Sequence, residues 1–177
     1  IGRYGLYYKF YKNTNITSID LSSLQSVDFY GMYCAFYGST NITGNIDLSS
    51  LQSVGGYGLN CAFRECTKIV DVNLSSLQTV GVQGLYGAFT SCGGLTNIDL
   101  SSLQSVGDNG LARSFEGCIN LVDVNLSSLT EIHRYGFASC FCGCGGLTNV
   151  NLGSVRSVGA GGMNGMFVGC FNATSIN

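Results

Sequence analysis

Nine cysteines and a single histidine are the residues of this chain whose chemistry asks first for an explanation. Cys140, Cys142 and Cys144, with His133 a short way upstream, have the residue types of a zinc site. The C-x-C-x-C run lacks the paired knuckles of structural zinc sites, however. Cys144 also belongs to a column, Cys66, Cys92, Cys118, Cys144 and Cys170, in which each member follows a phenylalanine by three residues. A cysteine in a recurrent apolar position behaves as a small buried hydrophobe, so no metal is expected. Cys34 and Cys61 each precede one of those phenylalanines by two residues. Their backbones come within disulfide reach if the copies stack, and the sequence leaves open whether they pair. His133 stands where other copies carry Gly55, Gly81, Gly107 and Gly159. A Ser–His or Cys–His nucleophile needs a third, orienting group, and the sequence names none. The Gly-x-x-Gly stretches recur without a following lysine or long helix, so they are turns and not phosphate cradles. No catalytic residue and no cofactor is expected.

The polar residues with the most regular spacing are Asp and Asn. One column reads Asn45, Asp71, Asn97, Asp123, Asn149, and its neighbour Asp47, Asn73, Asp99, Asn125, Asn151. Between Asp71 and Asn125 the two residue types swap columns at each copy. Carboxylates stacked at strand spacing, ~4.8 Å, would repel by about 1 kcal/mol even in water. Alternation removes that repulsion and leaves room for amide–carboxylate hydrogen bonds. The same ladder is also the candidate binding surface, for a partner or for Ca²⁺.

These columns exist because the chain repeats. Leu21, Leu48, Leu74, Leu100, Leu126 and Leu152 recur at intervals of 26 or 27 residues, in phase with Phe10, Phe36, Phe63, Phe89, Phe115, Phe141 and Phe167. Seven units fit: 1–26, 27–53, 54–79, 80–105, 106–131, 132–157 and 158–177, the second with an extra residue near Gly44. A unit this short cannot bury its apolar face alone, so the fold is a repeat solenoid forming one domain. Ile98 and Leu100 alternate with Asn97 and Asp99, which is strand periodicity. Leu103 and Val106 predict a second, shorter strand after the Ser101–Ser102 bend. Leu85, Phe89 and Cys92 lie at i, i+4 and i+7, which predicts one or two helical or 3-10 turns. The expected core is Phe36, Phe63, Phe89, Phe115 and Phe141 with Cys66, Cys92, Cys118, Cys144, Leu74, Leu100 and Leu126. Units one and seven depart from the pattern, with Asn13 for Cys and Ala173 for Leu. Solenoids need polar caps, so the chain is expected to be a stretch of a longer protein with further coils or domains at both ends.

The pattern carried by Val80-Gly81, Ala88-Phe89, Cys92, Leu95, Ile98 and Leu100 resembles the BspA-like leucine-rich repeats of bacterial surface proteins, over essentially the whole chain. Two features depart from that family: Ser-Ser where Pro often follows the strand, and a Gly-Leu insert before Ala-Phe. The resemblance implies a non-enzymatic extracellular, cell-surface or virion-associated module that recognises or adheres to a protein or glycan. Composition agrees on what is excluded. Charged residues are 10% of the chain and the net charge is −2, so no basic field exists for nucleic acid. No apolar run approaches the ~18 residues of a membrane span. Ten tyrosines, crowded into the N-terminal units and mostly outside the core columns, suit sugar stacking or a protein hot spot. The other function consistent with these residues is a structural spacer or fibre component whose coils stack on further protein.

Overall fold

The computed structural model describes residues 1–176; Asn177, the last position of the seventh unit, lies outside them. Among the described residues the five inner coils contribute two strands each, the first coil only a short strand and the last only a long one. The longer ones are β2 (Gly44–Asp47), β4 (Ile69–Asn73), β6 (Asn97–Asp99), β8 (Asp123–Asn125), β10 (Asn149–Asn151) and β12 (Ser175–Ile176). The two-residue strands are β1 (Ser26–Val27), β3 (Ser53–Val54), β5 (Thr79–Val80), β7 (Ser105–Val106), β9 (Glu131–Ile132) and β11 (Ser157–Val158). They form two six-stranded parallel sheets, β2-β4-β6-β8-β10-β12 and β1-β3-β5-β7-β9-β11. The repeat sets the register directly: Asn97 lies opposite Asp71 on one side and Asp123 on the other, and Val80 opposite Val106. Pairing of β2 with β4 shifts between Gly44 and Asn45, where unit two carries its extra residue. Both sheets need only neighbours one coil away, so the solenoid expected from the repeat is the fold observed.

The third wall differs from expectation. The segment read as helical turns holds no helix among the described residues. It is a ribbon of successive turns. In unit four, Gly84, Tyr86, Ala88, Thr90 and Cys92 donate their N–H groups three residues back, to Gly81, Gln83, Leu85, Gly87 and Phe89. The residues between them, Leu85, Gly87, Phe89 and Ser91, donate instead to Gly110, Ala112, Ser114 and Glu116 of the next coil. Every fourth residue takes a positive φ, as at Gln83 (50°), Gly87 (57°) and Ser91 (60°). A helix would spend nearly all of its N–H groups within its own turn. The ribbon spends half of them between coils, so this wall is stitched to its neighbours as the sheets are.

One continuous core fills the space between the walls. Leu74, Leu100, Leu126, Phe63, Phe89, Phe115 and Phe141 are fully buried, and Phe36 nearly so. The seven ladder phenylalanines stack in a single file, ring centroids 5.2–6.0 Å apart from Phe10 to Phe167, with interplanar angles of 3–11°. Stacked rings gain about 0.5–1.5 kcal/mol each beyond the area they bury.

Candidate functional site: the exposed columns

The polar ladder divides into two columns with different employment. In the second, each side-chain oxygen caps the backbone two residues on. Asp47 Oδ1 accepts from Ser49 N at 2.9 Å, Asn73 from Ser75 at 3.1 Å, Asp99 from Ser101 at 2.9 Å, Asn125 from Ser127 at 3.0 Å and Asn151 from Gly153 at 3.1 Å. These are Asx turns, and they bend the chain from the long strand toward the short one. Ser49, through its hydroxyl first and its amide second, holds the Asp47 carboxyl below the usual carboxylate range. In the first column the contacts run between coils. Asn97 Nδ2 donates to Asp71 Oδ1 at 2.9 Å and Asn149 Nδ2 to Asp123 Oδ1 at 2.8 Å, with Thr148 Oγ1 donating to the same Asp123 oxygen at 2.9 Å. Asn45 sits in register with Asp71. Asn97, Asp99, Asp123 and Asn125, with Ser101, line an open depression on this face.

A second exposed surface runs along the ribbon of the first three coils. Tyr4, Tyr30 and Tyr57 form a stacked column, centroids 5.4 and 4.7 Å apart with planes 7° apart. Tyr7 stacks on Tyr33 at 5.3 Å and Tyr11 on Tyr37 at 5.1 Å. Edge contacts join the columns, Tyr4 to Tyr7 at 5.6 Å and Tyr7 to Tyr8 at 4.8 Å. Phe29 closes the array edge-on to Tyr30 and Tyr57. Tyr4, Tyr7, Tyr8 and Tyr11 remain 41–52% exposed. The ribbon brings this about, because it places the same position of each coil one above the next.

The cysteines sort by depth. Cys66, Cys92, Cys118 and Cys144 are buried, and each thiol donates to the carbonyl of a phenylalanine one coil back: Phe36 at 3.2 Å, Phe63 at 3.1 Å, Phe89 at 3.2 Å and Phe115 at 3.0 Å. The residue pattern alone did not reveal that second function of the column. Its signal was Ser39, which stands at the same position and donates its hydroxyl to Phe10 O at 2.9 Å. Burial pushes the Cys66 and Cys118 thiols up to about 12. Cys140 is buried as well, and only Cys142 of the C-x-C-x-C run is half-buried. No group of metal-binding side chains assembles among the described residues.

His133 is half-exposed, and the orienting carboxylates that the sequence did not reveal stand beside it. Glu131 Oε1 lies 3.3 Å from Nε2, and Asp108 Oδ1 lies 4.0 Å from Nδ1. Glu131 is two residues away on the same stretch of chain, but Asp108 arrives from the coil before, which spacing along the chain does not show. Ser157 shares the depression around His133 without a hydrogen bond to it. Both imidazole nitrogens face carboxylates, so neither is aimed at a nucleophile.

The match that decides the family covers residues 6–141, in six copies of the BspA-type leucine-rich repeat region. The chain belongs to that family. Repeats of this family are generally non-catalytic modules that bind proteins. The crystal structure of a leucine-rich repeat protein of T. pallidum superposes with a TM-score of 0.66 at 24% identity, covering 98% of this chain and 71% of that one. That likeness supports the solenoid fold. A leucine-rich repeat protein from Bacteroides ovatus is 18% identical with a TM-score of 0.23, and a leucine-rich cell surface protein from Faecalibacterium prausnitzii is 11% identical with a TM-score of 0.24. This chain spans 64% and 62% of those two. No curated protein sequence matches it. Among the described residues no helix is long and apolar enough to cross a membrane.

Proposed function

We propose that this repeat array is an extracellular recognition or adhesion module, displayed on a cell surface or virion, that binds a protein or glycan without chemistry. The tyrosine array carries this reading. Four tyrosines more than two-fifths exposed form a rigid aromatic platform, Tyr4, Tyr7 and Tyr11 stacking on Tyr30, Tyr33 and Tyr37, and Tyr8 tilted against Tyr33. Tyrosine offers a flat apolar face for a sugar ring or an apolar side chain, a hydroxyl for a hydrogen bond, and little entropy to lose. The stacking removes most of the remaining freedom, which lowers the entropic cost of binding. The Asp/Asn ladder, Asn45 to Asn151, is the polar second surface of the same module; its Asx turns and cross-coil amides already employ many of its oxygens.

The test is binding of the chain to an oligosaccharide array and to intact host and bacterial cells, parent against Tyr4→Ala, Tyr7→Ala and Tyr8→Ala. Expected is binding by the parent that each variant weakens at least about tenfold, the loss typical of a hot-spot residue, with circular dichroism unchanged. A second reading, a stacking spacer, draws support from the coil-to-coil pairing of both sheets, which any further in-register coil would extend. Absence of binding by the parent, with end-to-end rods in electron micrographs, would establish the spacer and overturn the recognition reading.

A further inference from the structure

Cys34 and Cys61 occupy the same ribbon position in adjacent coils and share one backbone conformation, φ 50° and 52°. Cys34 N donates to the carbonyl of Asn60, the residue before Cys61, at 2.9 Å. On either side of them along the ribbon, equivalent rings stand 4.7 Å apart at Tyr30 and Tyr57 and 5.4 Å apart at Phe36 and Phe63. The two cysteines between those columns therefore lie within the Cα separation of a disulfide, about 4.4–6.8 Å. Both are free thiols, Cys34 buried and Cys61 half-buried. Toward the next coil the position is Gly87, where a Cβ would come within 3.3 Å of Cys61 Sγ, so the glycine leaves that sulfur its space.

Two further groups converge there. Arg64, one ribbon turn beyond Cys61, lies with its guanidinium 5.6 Å from the centre of the Tyr37 ring. Its Nε is buried and is the one orphaned side-chain donor among the described residues; the Glu65 carboxylate stands 3.6 Å away, an ion pair but too far for a hydrogen bond. A buried donor without an acceptor calls for an explanation, and the guanidinium charge acts on the Cys61 thiol three residues before it. The neighbouring Cys34 thiol, and after it the Arg64 guanidinium, push the Cys61 thiol down, and the Cys61 thiol together with burial pushes Cys34 up. Cys61 is the half-buried member of the pair and Cys34 the buried one, so Cys61 is the sulfur that a reagent reaches.

We propose that Cys34 and Cys61 are a hydroperoxide-reactive dithiol, with Cys61 the nucleophile, Cys34 the resolving thiol and Arg64 the residue that stabilises the Cys61 thiolate. The Cys61 thiolate attacks the terminal oxygen of hydrogen peroxide. An S–O bond forms, the O–O bond breaks, and hydroxide leaves to become water on taking a proton, giving the sulfenic acid. The Cys34 sulfur then attacks the Cys61 sulfur. An S–S bond forms, the S–O bond breaks, and the departing hydroxide takes the Cys34 proton as a second water. The two thiols lose two electrons, and one peroxide is reduced to two waters. The product is a disulfide that ties coil two to coil three beneath the tyrosine platform.

The experiment treats the native chain with hydrogen peroxide near pH 7 and maps its peptides without reduction, using dimedone to trap sulfenic acid. Expected is a Cys34–Cys61 bridged peptide in the parent, dimedone on Cys61 in Cys34→Ser, and none on Cys34 in Cys61→Ser. Arg64→Gln is expected to slow bridging about tenfold, the effect of losing roughly one pKa unit of thiolate stabilisation. Cys142 is the internal control, half-buried like Cys61 but with Glu116 and Val168, not cysteine, at its position in the adjacent coils. Oxidation of Cys142 as fast as Cys61, dimedone on Cys34 in preference to Cys61, or no bridged peptide would each overturn the assignment. All of these readings are made on the folded parent first, so a variant that fails to fold does not remove the test.

Discussion

The carbonyl of each ladder phenylalanine from Phe36 to Phe141 takes one hydrogen bond from its own turn and a second from a thiol of the next coil, as Phe89 does from Cys92 N at 3.1 Å and Cys118 Sγ at 3.2 Å. Serine can supply that second bond, since Ser39 does so at the first such junction. Cys118→Ser should therefore cost about 1 kcal/mol, and Cys118→Ala, which loses donor and volume together, about 2 kcal/mol. Urea melts measure the order; alanine matching or beating serine would mean that the thiol acts through bulk alone. The buried thiols also make the fold alkali-sensitive. Burial raises Cys66 and Cys118 to about 12 and lifts Cys92 and Cys140 well above the ordinary thiol. A raised folded-state pKa favours the neutral form in the fold, so the stabilisation is complete below the unfolded value, about 8.5, and is lost as pH climbs from there toward 12. Each such thiol contributes a slope of about 1.4 kcal/mol per pH unit in that window. Melting temperature is expected to fall steeply above about pH 9, and less steeply in Cys118→Ser.

At the scale of the element, the ribbon and the long-strand sheet make separate demands. Gly117 has φ 73°, and a methyl group added there would make only ordinary van der Waals contact, the nearest atom being Ser91 Oγ at 3.6 Å. Gly117→Ala therefore isolates the left-handed penalty, about 1 kcal/mol. At Gly110 the φ is ordinary, but a Cβ would meet Val106 Cγ1 at 2.7 Å and Gly107 O at 3.0 Å. Gly110→Ala is a clash and should cost more, about 1–3 kcal/mol. In the sheet, Asn97→Asp replaces the amide donor to Asp71 and sets a carboxylate between Asp71 and Asp123. A loss of about 1 kcal/mol per new contact is expected, shrinking with added salt; a loss indifferent to salt would show that the missing hydrogen bond, not the charge, is responsible. The strands were legible because Ile98 and Leu100 alternate with polar neighbours, and the core because leucine, phenylalanine and cysteine keep phase. The ribbon was not legible. Its four-residue period places apolar residues at i, i+4 and i+7 as a helix does, and its positive φ falls more often on residues such as Tyr30, Cys34, Gln83 or Arg113 than on glycine. Of the site, the two Asp/Asn columns could be read directly, whereas Arg64 beside Cys61 and Asp108 beside His133 depend on how residues face each other in three dimensions.

Among the described residues the strand pairings, hydrogen bonds and ring stacks join a coil to itself or to the next, so stability should behave as a chain of nearest-neighbour terms. Phe89 is fully buried between Phe63 at 5.3 Å and Phe115 at 5.7 Å. Phe10 is half-buried and stacks on Phe36 alone, at 5.2 Å. Phe89→Ala therefore removes two stacks and opens a cavity in the middle of the core, an expected loss of about 3–5 kcal/mol. Phe10→Ala removes one stack from a partly wet site and should cost roughly half as much or less. Hydrogen exchange separates the two further. Breaking the middle of a one-dimensional array uncouples its halves, so Phe89→Ala should lower protection in the flanking coils on both sides. Phe10→Ala should loosen the first coil and leave the amides around Phe115 and Phe141 as protected as in the parent. Equal losses from the two variants, or a uniform fall in protection after Phe10→Ala, would mean that the array unfolds as one unit, with interfaces strong enough to carry a terminal defect through all of its coils.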